Sequence, residues 1–496
     1  MGKPLFEGAE WDFETLDHAL KAIEDIALNE LKLDIYPNQI EVISSEQMLD
    51  AYSSLGMPLM YNHWSFGKLF AREETMYRGG YSALAYEIVI NSNPCISYLL
   101  EENTMTMQAL VMAHAAFGHN HFFKNNYLFR QWTNADGILD YLAFAKRYIA
   151  ACEERYGRDD VEAILDSAHA IMDQGVFRYR RPPRPSKERM AEKQRRRAEY
   201  EEEAYNDLWR TLPAGIEPPA TPASPDPEDD GGPDMKLPEE NLLYFLEKNS
   251  PALKPWQREM LRIVRNLAQY FYPQRQTKVM NEGCATFVHF TIMNALFDRG
   301  LITDGSIFEF LHSHTSVIFQ PEFDDRRYYG LNPYALGYAM MADIRRICET
   351  PTEEDRDWFP HIAGTGDYMA ALKEAWANYR DESFIEQFLS PKVMRDFRLF
   401  GLHDKADDGA YKVSAIHNEL GYRKVRSTLA RQYDVGTADP NIQVVGANLR
   451  GDRKLLLEHR MHRGIPLQYN AKELVVAHIE RLWGHAVELT EVAAET

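Results

Sequence analysis

The chain has 496 residues, a formal charge of −20, 45% apolar and 12% aromatic residues, which fits a globular protein of roughly two to four domains with a sizeable core. The acidity argues against general nucleic-acid or anionic-membrane partners. Cys95, Cys152, Cys284 and Cys348 lie far apart with no CxxC pair, which points to a reducing compartment; no leader peptide and no run near the ~18 apolar residues of a membrane span are visible, so a soluble cytoplasmic protein without a transmembrane segment is expected.

Trp11 to Leu33 places Phe13, Leu16, Leu20, Ile23, Ala27 and Leu31 at three- and four-residue spacing and predicts a helix. "SSEQMLDAYSSLGMP" reads as a second, capped helix stopped by Gly56 and Pro58. His63 follows in the aromatic stretch "YNHWSFGK", as part of a buried turn or of a pocket wall. Tyr86 to Ile90 is β-branched and predicts a short strand, with turn chemistry at "NSNP". Glu87 lies among apolar neighbours and needs a partner if buried.

The chemistry concentrates in Met105 to Phe129, "MTMQALVMAHAAFGHNHFFKNNYLF". Nothing breaks a helix from Thr104 to Ala116. His114 and His119 are five residues apart, which in a regular α-helix leaves them about 140° apart around the axis. A π-bulge or helix end near Gly118 brings the two rings together, and such bulges favour functional sites. His121 is back on the His114 face but about 10 Å along. The HExxH pattern is absent, because Ala115 stands where its glutamate belongs.

Residues 177–241 change character. "RYRRPPRPSKERMAEKQRRRAEYEEEAYNDLWR" is basic and then acidic, and "PAGIEPPATPASPDPEDDGGPD" is rich in proline and aspartate. A mobile linker between a body part at 1–176 and a second at 242–405 is expected. In the second part, "KVMNEGCATFVHFTIMNALFDRG" is a long apolar helix with Glu282, Thr286 and His289 on one face. A buried Glu282 requires an arginine, such as Arg265, or a metal or a proton. His312 and His314, at period two, suit one face of a strand, or a loop. The tail, 406–496, reads strand, helix, hairpin, helix, strand: a βαββαβ unit of ferredoxin-like type. Val413, Ile442, Val444, Leu455, Leu457, Leu474, Ile479 and Leu482 are its expected core. The fold class is α+β, a mainly helical body with this small C-terminal domain.

Several long motifs now stand in a recognisable order: "GMPLMYNHWSFGK", "AYEIVINSNPCISYLLEENTMTMQALVMAHAAFGHNHFFKNNYLF", "MNEGCATFVHF", "SHTSVIFQPEF", "GLNPYALGYAM", "DESFIEQFLS" and "RKVRSTLARQYD…PNIQVV". They resemble the stage V sporulation protein R (SpoVR-like) family, over nearly the whole chain outside 177–241. The resemblance implies a bacterial, cytoplasmic protein linked to spore cortex peptidoglycan or, in bacteria that form no spores, to starvation and stress. It also implies partnership with a AAA-type serine kinase and a von Willebrand A-like protein.

Two functions are carried forward. In the first, His114, His119 and Glu282 form a two-His, one-carboxylate site for zinc or another divalent transition metal. The protein is then a metal-dependent hydrolase, an amidase or peptidase. Glu282, His289 and Glu87 are its candidate catalytic residues, Glu101 and Glu102 alternative bases, and His63 and His314 reserves. A histidine-bearing helix followed by an "NEG" helix resembles gluzincin-like peptidases. In the second, the chain is a non-enzymatic scaffold or regulatory partner of the kinase system.

Overall fold

The computed structural model describes residues 3–53, 60–61, 63–64, 87–178, 195, 237–399, 401–403, 412–414, 419–448 and 451–493. The first predicted helix is α1 (Phe13–Glu24), capped by the Asp12 carboxylate on the Thr15 amide and prolonged by a π-helical turn over Asp25–Glu30. A sheet follows, made of β1 (Asn38–Ile43), β2 (Glu87–Ile90) and β3 (Cys95–Leu100) in the order β1-β3-β2, with α2 (Ser45–Ser53) after β1. The central β3 runs parallel to β1 and antiparallel to β2, and is buried along its length. Side chains alternate across a strand. Ile88 and Ile90 therefore enter one core, Val89 packs on the other, and Glu87 shares the Val89 side.

The histidine-bearing stretch is α3 (Met105–Val111), capped by Thr104, then a π-helical segment over Met112–His119, then α4 (Asn120–Asn125). Next come α5 (Tyr127–Trp132), α6 (Ile138–Tyr156) and α7 (Arg158–Ala170). Beyond residue 236 the chain forms α8 (Leu242–Asn249), α9 (Pro255–Gln276), α10 (Lys278–Asp298), α11 (Asp304–Val317) and α12 (Pro333–Glu349). It continues through α13 (Glu353–Trp358), α14 (Tyr368–Asn378), α15 (Asp381–Phe388) and α16 (Pro391–Asp396). No helix among the described residues is long and apolar enough to cross a membrane.

The α10 helix is buried on nearly all sides, as its apolar composition requires. Its neighbours approach to backbone distance because glycines face each other. A Cβ on Gly118 would stand 2.5 Å from Ala285 Cα, and one on Gly283 would stand 2.6 Å from the Gly337 carbonyl carbon. The α10 N-terminus is capped from elsewhere in the chain. The buried Asp381 carboxylate accepts the Val279 and Met280 amides, each at 2.9 Å. Burial pushes this carboxyl up to about 7, against the opposing pull of the backbone N–H groups it caps.

The tail adds β4 (Gly401–His403), β5 (Lys412–Ser414), α17 (Glu419–Gln432), α18 (Val435–Ala438), β6 (Asn441–Ala447), β7 (Leu455–Met461), α19 (Tyr469–Trp483) and β8 (Val487–Ala493). The α+β class holds and the hairpin stands where predicted, with β6 antiparallel to β7. The ferredoxin-like topology is only partly present. The sheet is three-stranded, β6-β7-β8, with β7 and β8 parallel; β5 pairs with β4 in a separate ribbon, and Leu429 and Ala430 of α17 join the helical body's core.

Ile442, Val444, Leu455, Leu457, Ile479 and Leu482 are buried as expected, in one core with residues of α7, α8 and α9. Leu474 is 60% exposed, because α19 turns Ile479, Leu482 and Trp483 inward instead. The Val413 side chain lies outside the described residues, as does the expected linker from 179 to 236, except Arg195. On either side of that stretch, the Phe177 ring meets Tyr244 at a tilt, 6.1 Å between centroids, and Glu239 bridges to Val444 at the edge of the tail sheet.

Two substitutions test this packing. Gly283→Ala forces a methyl into backbone and is expected to cost about 1–3 kcal/mol or more, read as a lower denaturant midpoint; an unchanged midpoint contradicts the close crossing. Asp381→Ala strips two buried amides of their acceptor and is expected to cost about 1–3 kcal/mol, with Asp381→Asn costing less.

Candidate metal centre

A π-helical turn closes its hydrogen bonds five residues apart, so His114 and His119 lie on one face of the Met112–His119 segment. Their ring centroids lie 4.6 Å apart, edge to face. The expected local departure from α-helix is therefore present. The Gly118 gap is filled by the backbone of α10, which brings Asn281, Glu282 and His289 against the two rings.

Four donor atoms converge. Glu282 Oε2 is 3.5 Å from His119 Nε2 and 3.8 Å from His114 Nε2. Glu87 Oε1, from β2, is 3.6 Å from His114 Nε2. Glu87, His114 and His119 each bring one donor atom within 4.8 Å of the others. Donors bound to one zinc at about 2.0–2.2 Å in a tetrahedron stand about 3.3–3.6 Å apart; the three separations of 3.5, 3.6 and 3.8 Å lie at or just beyond that range. Among the described residues neither carboxylate forms an ion pair with lysine or arginine. The expected partner Arg265 instead pairs with Glu247, at 3.1 Å.

The outer hydrogen bonds determine which ring nitrogens are free. His119 Nδ1 lies 2.9 Å from Asn281 Oδ1, so that nitrogen donates and Nε2 keeps its lone pair. His114 Nδ1 lies 2.9 Å from His289 Nδ1, and His289 Nε2 lies 2.9 Å from His314 Nδ1. Three neutral rings in such a chain carry one proton per gap. With protons pointing from His114 outward, His114 Nε2 offers a lone pair to the cluster; with the reverse polarity it offers an N–H. Burial drives His289 well below the ordinary histidine range and His314 to about 4, so neither ring charges near neutral pH. Burial likewise lowers His119 to about 4, against the pull of Glu282.

The two carboxylates differ. Burial raises Glu282, but His114, His119 and the Tyr334 hydroxyl outweigh it and hold the group below the ordinary glutamate range. Glu87 is raised by burial and by the Glu282 charge, against the attraction of His114. Among the described residues, the buried atoms His114 Nε2 and Glu282 Oε2 have no hydrogen-bond partner. With His114 Nε2 as a lone pair, the acceptors facing one another are unfavourable without a cation or a shared proton.

The other histidines lie elsewhere. His121 hydrogen-bonds the backbone of Asp34 and packs edge-on to Trp376. His63 Nε2 stands 3.0 Å from Asp166 Oδ1 and its ring stacks on His169. His312 and His314 sit on α11, not on a strand. Two residues apart on a helix they diverge, so His314 points inward while His312 is exposed. Glu101 and Glu102 are exposed in the turn after β3. Asn281 and Tyr334 are participants that patterning did not single out; both lie in quoted motifs, "MNEGCATFVHF" and "GLNPYALGYAM".

A family model described as "SpoVR like protein" matches residues 10–438, and one described as "SpoVR-like C-terminal domain" matches residues 440–494. The chain is 55% identical over 488 residues to a protein of Escherichia coli (strain K12) named "Uncharacterized protein YcgB", covering 98% of this chain and 94% of that one. No solved structure matches. With the two family models reaching across nearly its whole length, the chain belongs to the SpoVR family.

Proposed function

We propose that this protein is a metal-dependent hydrolase of the amidase or peptidase class, with zinc or another divalent transition metal held by His114, His119 and Glu282. The observation that carries the reading is the convergence of His114 Nε2 and His119 Nε2 on the carboxylates of Glu282 and Glu87, with His114 Nε2 and Glu282 Oε2 buried and without a hydrogen-bond partner among the described residues. When bound, such a cation supplies Lewis acidity toward a carbonyl or water oxygen. Asn281 and His289 orient the two imidazoles from behind, in the manner of outer partners at metal sites. Tyr334 steadies the Glu282 carboxylate. Glu87 has the raised proton affinity of a general acid–base, and its side chain keeps 18% exposure. The family name fits a link to sporulation, and the substrate class we propose is the peptidoglycan of the spore cortex or, outside spore formation, of a stress response.

A second reading, as a regulatory or scaffold partner of a AAA-type serine kinase with a von Willebrand A-like protein, draws on one feature. Phe308 and Leu311 on α11, with Phe319, Phe323 and Tyr329 just after it, expose large apolar groups to solvent.

Elemental analysis separates the two. The purified chain is expected to hold about one equivalent of divalent transition metal, lost in His114→Ala and His119→Ala with the helical circular dichroism intact. Wild-type protein that is well folded and metal-free after growth and purification without chelators sinks the hydrolase reading and favours the partner reading. Glu87→Gln is expected to keep the metal while lowering hydrolysis of a peptide or amide substrate by at least about a hundredfold. Full activity in that variant removes Glu87 from the chemistry.

A further inference from the structure

Apart from the histidine cluster, a cavity of about 180 Å³ lies between Tyr127 and Trp132 of α5, Tyr272 and Gln276 at the end of α9, and the guanidinium groups of Arg178 and Arg380. Gln276 is only 4% exposed. Its Oε1 accepts from Arg380 Nη1 at 3.3 Å, which fixes the amide's orientation. The opposite atom, Nε2, is buried with no acceptor among the described residues. A buried donor without an acceptor is costly to the fold and marks a place where an acceptor belongs.

The charges around the cavity point the same way. Arg380 is matched by Glu382 at 3.1 Å and approached by Asp434 at 3.7 Å. Arg178 has only neutral acceptors: Gln174 Oε1 at 3.1 Å, the Asp439 carbonyl at 3.0 Å, and the Pro440 carbonyl. Among the described residues no carboxylate pairs with it. Among the described residues the cavity therefore presents one unmatched guanidinium and one unmatched amide N–H beside an aromatic wall, where Trp132 and Tyr272 meet edge to face at 5.2 Å. A cation is disfavoured there, and a neutral ligand leaves the Arg178 charge uncompensated.

We propose that this cavity binds a small organic oxyanion, a carboxylate or phosphate carried on a short apolar or aromatic body. The oxyanion accepts from Gln276 Nε2 and Arg178, and the body packs against Trp132 and Tyr272. Its walls are contiguous with the supports of α10. Gln276 precedes the first turn of that helix by two residues, and Arg380 directly precedes the Asp381 that caps it. The proposal needs no metal at the histidine cluster.

The test is calorimetric titration of the full chain, in a zwitterionic buffer, with benzoate, phenyl phosphate and the neutral analogue benzamide. Saturable one-site binding of benzoate or phenyl phosphate, with benzamide silent, is expected; whichever anion binds tighter identifies the headgroup. Gln276→Leu is expected to weaken that binding at least about tenfold, and Arg178→Met to abolish it. Arg178 also holds the backbone of the tail, so Gln276→Leu, checked for an unchanged circular dichroism spectrum, is the deciding variant. Absence of saturable binding by both anions, benzamide binding equal to benzoate, or undiminished binding by Gln276→Leu overturns the proposal. Metal-stripped protein is expected to give the same isotherm, which keeps this result separate from the hydrolase reading.

Discussion

The close seating of α10 between two other helices is the constraint from which the remaining geometry follows. Side chains at Gly118, Gly283 or Gly337 would each meet backbone at under 3 Å, so the three helices share one narrow slot. Ridges of ordinary side chains hold helices about 8–10 Å apart; glycine against glycine or alanine brings them closer. At that separation the short reach of a histidine from the π-helical segment and of a glutamate from α10 suffices for contact. The Asp381 cap then anchors the end of α10 from which Asn281 and Glu282 project.

Electrostatics explains why such a slot needs more than packing. An apolar core accepts carboxylates only with a cation, a proton or a full set of hydrogen bonds. Elsewhere in the same molecule Glu247 takes Arg262 and Arg265, Asp355 takes Arg346, and Asp381 takes backbone amides. Glu87 and Glu282 differ, since imidazole nitrogens, not guanidinium groups, face them. From His114 a chain of ring contacts runs outward through His289 to His314, 2.9 Å at each gap.

Much of this was legible in the residues, for identifiable reasons. A five-residue histidine spacing in an unbroken apolar helix is incompatible with one shared ligand unless the helix widens, and that conflict pointed to the π-helical segment. Glu282 and His289 stood out because polar groups are rare in so apolar a run. The Asp381 cap was not legible: it lies 102 residues from the amide it satisfies, and an aspartate opening a helix ordinarily suggests a local role. Period two at His312 and His314 misled because two residues cannot distinguish a strand from opposite faces of a helix. The tail pattern gave its strands correctly but not their partners, since alternation fixes which face is buried and not which edge is paired. Leu474 failed for a similar reason, as the apolar stripe of α19 is wider than the surface it covers.

The central claim is that one cation joins the π-helical histidines to α10. Anomalous diffraction from crystals of the purified protein, collected on both sides of the absorption edge of the metal found in it, tests this most directly. The account predicts a single strong peak within about 2.0–2.2 Å of His114 Nε2, His119 Nε2 and a Glu282 oxygen. Density showing a direct hydrogen bond between those histidines and Glu282, with the anomalous signal absent or located elsewhere, would contradict it.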